Sequence, residues 1–445
     1  MPDPLSTSMK EILAEKLGES LQGPMEPSTP RTVHGSVALE GKATVVVGMR
    51  RVGKTTFLHQ LRSRRLSEGT PRDHLPYLNF EDERLAGLDG TQLGFLLEEY
   101  ARIASEPGPG KRIVWNFDEI QVVPGWERFV RRLLDAKSSE VFLTGSSAAL
   151  LSGEMATSLR GRAWEVPLYP FGFAEFLAHR QIPVPGKPAS PTGPERSRME
   201  KAFQEWLRTG GFPEAQGLDE PTRRQLLMDY VDVALLRDVV ERYSISNVAA
   251  LRWLVRHLLG NAAGSFSIEK FHGTLKSQGL AVSRDMLHQM LHHLESAFLV
   301  RLVWMESSSE RQRMVNARKA YPVDTGLIPV FDRTGRSGRG HALETAVLVE
   351  LERRRREVTW VRTPSGFEVD FLARSPDGGT ELVQVCADAS DPDTAKRELR
   401  ALEDAAGSFP EARKLLLVLT RDGMPSAAAN GVEVRSAWEW MLGGD

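Results

Sequence analysis

ATVVVGMRRVGKT, residues 43–55, is an apolar run that breaks at one glycine and closes on Gly53, Lys54 and Thr55. Residues 43–48 read as a buried strand, and Gly53 to Arg65 as a helix. Between them Gly48–Thr55 matches GxxxxGK[ST], in the strand-to-helix setting that the motif needs. Gly48 and Gly53 allow the backbone amides to turn inward, and Met49, Arg50, Arg51 and Val52 form the loop between them. Lys54 is set to reach the β- and γ-phosphates of a nucleotide, and Thr55 to offer a hydroxyl to Mg2+. Thr56 continues into the helix, whose positive dipole end favours the same phosphates. ATP with Mg2+ is the cofactor pair this stretch predicts.

Further along, IVWNFDEIQ (113–121) is a second apolar strand that delivers two acids at its end. Asp118 is placed to hold Mg2+, directly or through water, and Glu119 to orient or deprotonate an attacking water. An acid after the magnesium aspartate suits ATP hydrolysis rather than a glutamine-dependent GTPase. VFLTGSSAALL (141–151) is a third strand ending in hydroxyls. If it inserts between the first two, Thr144 or Ser146 meets the γ-phosphate and senses hydrolysis. Ser147 fits an N-cap before AALL equally well.

Strands are also expected at 75–80 and 163–168, with helices at 91–104 and 126–136. This alternation predicts an α/β fold with a mostly parallel sheet. Trp126 reads as a core anchor. The first 40 residues, a short helix and a Pro-rich linker, look peripheral. After a Pro-rich break at 182–196 the pattern turns helical. Asn247–Asn261, Ser267–Ser277 and Ser283–Glu295 read as three helices before a strand at 298–304, a winged-helix-like unit. A Gly-rich stretch, 332–340, precedes helix 341–356, strands 358–362, 367–373 and 381–386, helix 392–405, and strands 414–420 and 432–435. The expected organisation is a 1–40 extension, a 41–215 ATPase domain, a 216–335 helical region and a 336–445 α/β domain.

Composition bounds the partners. The chain has 445 residues, 41% hydrophobic and 26% charged, with a formal charge of -2. No global positive field is available, so any nucleic-acid contact needs a local basic face. Arginine outnumbers lysine 44 to 13, and so general an excess discounts each single Arg run. The single cysteine, Cys386, excludes a disulfide framework and multi-Cys zinc sites. With no signal peptide and no long apolar run, a cytoplasmic setting without a membrane span is expected.

Taken in order, GMRRVGKTTFL, NFEDERL (79–85), FDEIQVVPGWERFVRRLLD (117–135), LTGSSAALL, LRGRAWEVPLYPFGFAEFL (159–177) and GGFPE (210–214) resemble a prokaryotic family of AAA+-type ATPases of the ASCE P-loop class. LLRDVVERYSI (235–245), LESAFLV (294–300), KAYPVDTGL (319–327) and EVDFL (368–372) extend the likeness to the C-terminus. The resemblance implies an extra strand beside the P-loop strand, a homo-oligomer, and an arginine finger. Arg162 is the favoured finger, with Arg160 and Arg237 as further candidates. It also implies a C-terminal domain of unknown function, whose strand order and motifs here look like the restriction-endonuclease-like fold. Such a site needs carboxylates on a metal and a nearby lysine. Glu344, Glu368 and Asp370 could serve, with Glu368 and Asp370 on one face of a strand. Gln384 stands where an acid belongs and Cys386 where the lysine belongs. Binding or scaffolding is therefore favoured over cleavage for this domain.

Among lesser signals, Arg353–Arg356 reads as a solvated helix end, or else a phosphate-backbone contact. Arg284, Gln289 and His292 are candidate exposed residues of a recognition helix, and His288, His292 and His293 read as surface or partly buried. The leading expectation is an ATP-driven switch or motor acting on DNA, RNA or a nucleoprotein complex. A nucleotide-gated scaffold with protein partners is the alternative, and a metal-dependent nuclease the lesser one.

Overall fold

The computed structural model describes residues 7–104, 112–136, 138–145, 159–186, 188, 190–332, 338–426 and 431–443. The chain divides into two compact units, Met1–Leu168 and Tyr169–Asp445.

The first unit comprises α1 (Thr7–Gln22), β1 (Ala43–Val47), α2 (Lys54–Ser67), β2 (Tyr77–Asn79), α3 (Gly94–Ile103), β3 (Ile113–Asp118), α4 (Trp126–Asp135), β4 (Ser139–Thr144) and β5 (Ala163–Pro167). Its described strands form a sheet in the order β2-β3-β4-β1-β5, with every pairing parallel. β1 is buried at every position, which suits its lack of alternation; its one polar residue, Thr44, donates its hydroxyl to Val37 O at 2.9 Å. β4 does insert between β1 and β3, with Val46 level with Thr144 and Phe117 level with Leu143. Because all strands run one way, the ends of β1, β3 and β4 gather at one edge of the sheet. α4 shows why such a segment is a helix. Its buried residues, Trp126, Phe129, Val130, Leu133 and Leu134, recur at helical spacing.

The N-terminal helix α1 is not peripheral. Leu13 and Leu17 are fully buried, and α1 packs on α3 and β2. Arginines cap its C-terminal carbonyls: Arg62 Nη2 donates to Ser20 O at 2.6 Å and Arg72 Nε to Leu21 O at 2.6 Å.

The second unit begins with α5 (Phe173–His179), α6 (Gly193–Thr209) and α7 (Glu220–Val233), which continues as a π-helical stretch, Ala234–Glu241. Then come α8 (Val248–Gly260), β6 (Gly264–Phe266), α9 (Ile268–Ser277), α10 (Arg284–Ser296), β7 (Val300–Met305) and β8 (Arg318–Pro322). The C-terminal part holds α11 (Arg339–Arg353), β9 (Glu357–Arg362), β10 (Glu368–Arg374), β11 (Thr380–Cys386), α12 (Pro392–Ala406), β12 (Arg413–Val418), β13 (Val432–Ser436) and α13 (Ala437–Leu442).

These strands form one sheet, β13-β12-β11-β10-β9-β7-β8-β6. β6, β8 and β7 pair antiparallel, and β7 then runs parallel to β9, Trp304 facing Thr359 and Met305 facing Trp360. The expected boundary near 335 therefore falls inside a single sheet. The expected boundary at 215 does not coincide with the division after Leu168 either. Phe173, Phe176, Phe203 and Trp206 share a core with Leu343, Leu351, Phe371 and Trp438 of the C-terminal part. Two tight approaches fix this joint. A Cβ on Gly211 would stand 2.2 Å from Phe171 O, and one on Gly210 1.9 Å from Asp324 Oδ1. Asp324 accepts from Gly211 N at 2.7 Å and Gly326 N at 2.9 Å. GGFPE and PVDTGL, far apart in sequence, meet through that carboxylate.

The Arg353–Arg356 run is neither a solvated end nor a free basic patch. Arg353 and Arg354 are buried. Arg353 Nη2 donates to Pro170 O at 2.7 Å, and Arg354 pairs with Glu350 at 2.8 Å and donates to Trp440 O at 3.0 Å. Glu175 at 3.4 Å and Glu350 at 3.3 Å balance the charge of Arg353, while the carbonyls accept hydrogen bonds from both guanidinium groups.

Candidate nucleotide site

The loop between β1 and α2 is shaped by its glycines. Gly48 has φ +155° and Gly53 φ +93°. A Cβ on Gly48 would lie 2.2 Å from Leu168 O, so only glycine fits that approach. Met49 and Val52 turn into the core, while Arg51, Thr55 and Thr56 stay exposed and Arg50 and Gly53 are half-buried. Lys54 is buried, and its Nζ donates to Gly48 O at 3.0 Å and Met49 O at 3.2 Å. The ammonium thus lies within its own loop, where the motif expects it.

Asp118 is buried at the end of β3. Tyr77 Oη donates to its Oδ2 at 2.9 Å, and Thr144 Oγ1 donates to its Oδ1. The same Thr144 oxygen accepts from Glu119 N at 3.1 Å. Glu119 has φ +53° and ψ +38°, a left-handed conformation unusual for a side-chain-bearing residue. It turns the chain out of β3, and Gln121 Nε2 donates to its carboxylate. Thr144 is thus the common partner of both acids. Ser146, the other sensor candidate, and Ser147 lie outside the described residues.

The surroundings are electrostatically strained. Burial, then the charge and hydrogen bond of Asp118, push the Tyr77 hydroxyl far above its usual range. It therefore stays a proton donor to that carboxylate. Burial and the nearby Arg62 hold His59 below its usual value, and its ring packs on Tyr77 with centroids 4.4 Å apart. Arg62 itself is lowered to about 10, first by burial and then by Arg72. Glu81 is raised by burial and by the charge of Glu119, with Arg50 at 3.7 Å opposing. Tyr77, His59 and Glu81 were not foreseen. Tyr77 lies on β2, two residues before Asn79, which faces Asp118 in the register. Arg31, from the N-terminal segment, donates to Val52 O at 2.6 Å and so braces the loop.

The structure does not bring Arg162 to this site. It precedes β5, its carbonyl accepts from Ala43 N at 2.8 Å, and Ala163 is level with Ala43. That is the start of β1, at the opposite edge of the sheet from the loop. Its guanidinium pairs with exposed Asp135. Arg160 is likewise exposed, and Arg237, in the second unit, pairs with Glu241 at 3.0 Å.

Residues 40–177 match the family model of an AAA domain, and residues 200–336 that of a domain of unknown function (DUF8612). The uncharacterized protein MJ1544 of Methanocaldococcus jannaschii is 32% identical over 414 residues, spanning 91% of this chain and 89% of that one. The chain belongs to the family of MJ1544. An uncharacterized protein of Haemophilus influenzae is 28% identical over 403 residues, 89% of this chain and 94% of its own. Among solved structures, the Walker-type ATPase PABY2304 of Pyrococcus abyssi is 16% identical, covering 72% of this chain and 95% of that one. Its TM-score is 0.34. Residues 40–177 are thus an AAA-type P-loop domain, and the chain shares nearly its full length with both of these relatives.

In the second unit, Glu344 and Asp370 come together, both largely buried. Glu368 is exposed at the start of β10, and its charge reaches the Tyr321 hydroxyl that donates to Glu344. β10 changes register against β9 between Val369 and Leu372. Gln384 is buried; its Oε1 accepts from Asp370 N at 3.3 Å and its Nε2 donates to Glu398 at 2.7 Å. Cys386 is half-buried and donates to Asp388 O at 3.2 Å. His288 and His292 are exposed, whereas His293 stacks on Tyr243 with centroids 3.5 Å apart. Among the described residues no group of three or more His, Cys, Asp or Glu side chains is disposed to hold a metal. No described helix is long and apolar enough to cross a membrane.

Proposed function

We propose that the chain is a Mg2+-dependent, ATP-binding and ATP-hydrolysing switch of AAA+ type, acting on nucleic acid or a nucleoprotein complex. The gathering of Lys54, Asp118, Glu119 and Thr144 at one sheet edge carries this reading. The residues fit the groups they would hold. The loop is a glycine cradle that a Cβ would fill, and the hydroxyl and carboxylate of Thr55 and Asp118 are hard oxygen donors suited to magnesium. When bound, Mg2+ supplies charge neutralisation at the β- and γ-phosphates. Gly48 to Thr56 wrap the phosphates, and Lys54 contributes its ammonium. Glu119 orients and deprotonates the attacking water. Thr144 holds Asp118 and Glu119 in register, so it reports the state of both. Arg162 could serve as a finger only toward a neighbouring copy, in a homo-oligomer.

The nucleic-acid output rests on α8 to β8, whose helix and hairpin order is that of a winged helix. α10 exposes Arg284, His288, Gln289 and His292, and Arg311 is exposed in the β7–β8 hairpin. A second reading, a nucleotide-gated scaffold for protein partners, is favoured by one observation. Met228, Val233, Leu236 and Trp253 are exposed large apolar side chains in the α7–α8 region.

ATP turnover by purified protein tests both. Glu119→Gln is expected to lower turnover by about 10²–10⁴-fold while ATP still binds, and Lys54→Ala to lose both. Unchanged hydrolysis in these variants sinks the catalytic assignment. Turnover that rises several-fold with DNA or RNA supports the nucleic-acid output. Turnover indifferent to either favours the scaffold.

A further inference from the structure

Lys319 lies on β8, outside the C-terminal helix and strands, yet its side chain ends among their acids. Its Nζ is 3.0 Å from Asp370 Oδ1 and 3.2 Å from Glu344 Oε1. Tyr321, two residues along the same strand and so on the same face, donates to Glu344 Oε1 at 2.7 Å. The second oxygen of Asp370 accepts from Val385 N at 3.0 Å. The ring of Trp360 lies 5.9 Å from the ammonium. All three charged side chains are at most 12% exposed. Two buried carboxylates without a counter-charge would repel each other strongly. Here the counter-charge is covalently part of the chain.

We infer that Lys319 is a built-in cation: it fills the place that a divalent metal would take between Glu344 and Asp370, and it pins β8 to the C-terminal part of the sheet. Oxygen ligands hold Mg2+ at about 2.0–2.1 Å, and an ammonium in contact with both carboxylates leaves no such space. The position of Gln384 strengthens the case. A neutral amide replaces the carboxylate that a metal centre would call on, and it spends its own donor on Glu398. Charge agrees with geometry. Burial works against the Lys319 charge, but Asp370 and Glu344 hold its pKa above the ordinary lysine value. Burial and the charge of Asp370 push Glu344 upward. One ammonium balances one carboxylate, and the upward shift of Glu344 favours its protonated form, so the buried group needs no second cation. The C-terminal acids are therefore an anchor for the β7–β8 hairpin and not a metal-dependent hydrolytic centre. This holds whether or not the nucleotide site turns over.

Mn2+ provides the test, in nucleotide-free full-length protein, read by thermal unfolding and by the paramagnetic resonance of free Mn2+. Wild type is expected to take up no Mn2+ that Asp370→Asn abolishes. Lys319→Ala is expected to unfold on the order of 10 °C lower. Millimolar Mn2+ should restore part of that loss, or restore folding where the variant is otherwise unfolded. It should do nothing for Lys319→Ala combined with Asp370→Asn. Uptake of Mn2+ by wild type in an Asp370-dependent manner overturns the inference. So does a Lys319→Ala variant as stable as wild type, or one that Mn2+ leaves unchanged, folded or not.

Discussion

Both carboxylate oxygens of Asp118 are taken by hydroxyls, Tyr77 on one side and Thr144 on the other. Thr144 also accepts from Glu119 N. One oxygen atom thus couples the two acids on which hydrolysis depends. Removing that hydroxyl at constant shape isolates its effect. Thr144→Val is expected to lower ATP turnover by about 10–100-fold, the loss of a hydrogen bond to a charged group. The dissociation constant for ATP should barely move, because the phosphate loop is untouched. Comparable losses in binding and turnover would mean that Thr144 holds up the loop instead. Lys54, Thr55, Asp118 and Glu119 were legible beforehand because each motif is contiguous and carries its own strand. The bonds of Tyr77 and Thr144 to Asp118 were not, since they cross 41 and 26 residues of chain through strand register. The placement of Arg162 at the start of β1, away from the loop of its own chain, was not legible either, because proximity in sequence to the sensor strand says nothing about which end of a parallel sheet a residue occupies.

At the scale of elements, the joint between 209–212 and 324–326 rests on the Asp324 carboxylate. Burial pushes it up to about 6, although two backbone amides oppose the shift. The fold therefore favours the protonated acid. Its contribution to stability is complete below the ordinary value of 3.8 and is lost as pH rises through about 6. Denaturant unfolding of wild type and Asp324→Asn at pH 4 and pH 7 reads this directly. The advantage of wild type over the variant should shrink by on the order of 3 kcal/mol between the two. An advantage that is flat or grows with pH contradicts the assignment. The helices and strands of this region were legible from their periodicity. α1 shows the limit of that signal: its sequence reads as a helix, but burial of Leu13 and Leu17 depends on α3 and β2, which lie far downstream. Its arginine caps, from positions 62 and 72, leave no trace within the helix itself.

At the scale of the molecule, the division after Leu168 and the shared sheet beyond it make a prediction about fragments. Residues 169–445, made alone, are expected to unfold in a single cooperative transition. Residues 336–445 alone should lack one, because they lose β7, Lys319 and the aromatic residues of α5 and α6. Circular dichroism melts of the two fragments decide the matter, and a cooperative 336–445 fragment would refute it. No local signal could have shown this. The two-residue parallel contact of β7 with β9 is made by residues that read equally well as an isolated strand. That contact also sets a timetable. β7 leaves the ribosome roughly 50 residues ahead of β9, a delay of about 3–10 seconds at ordinary synthesis rates. For that interval its outer edge is an unpaired template beside an apolar core, open to the same strand of another nascent chain. A pause in synthesis after β7 has emerged and before β9 has followed it would lengthen that exposure.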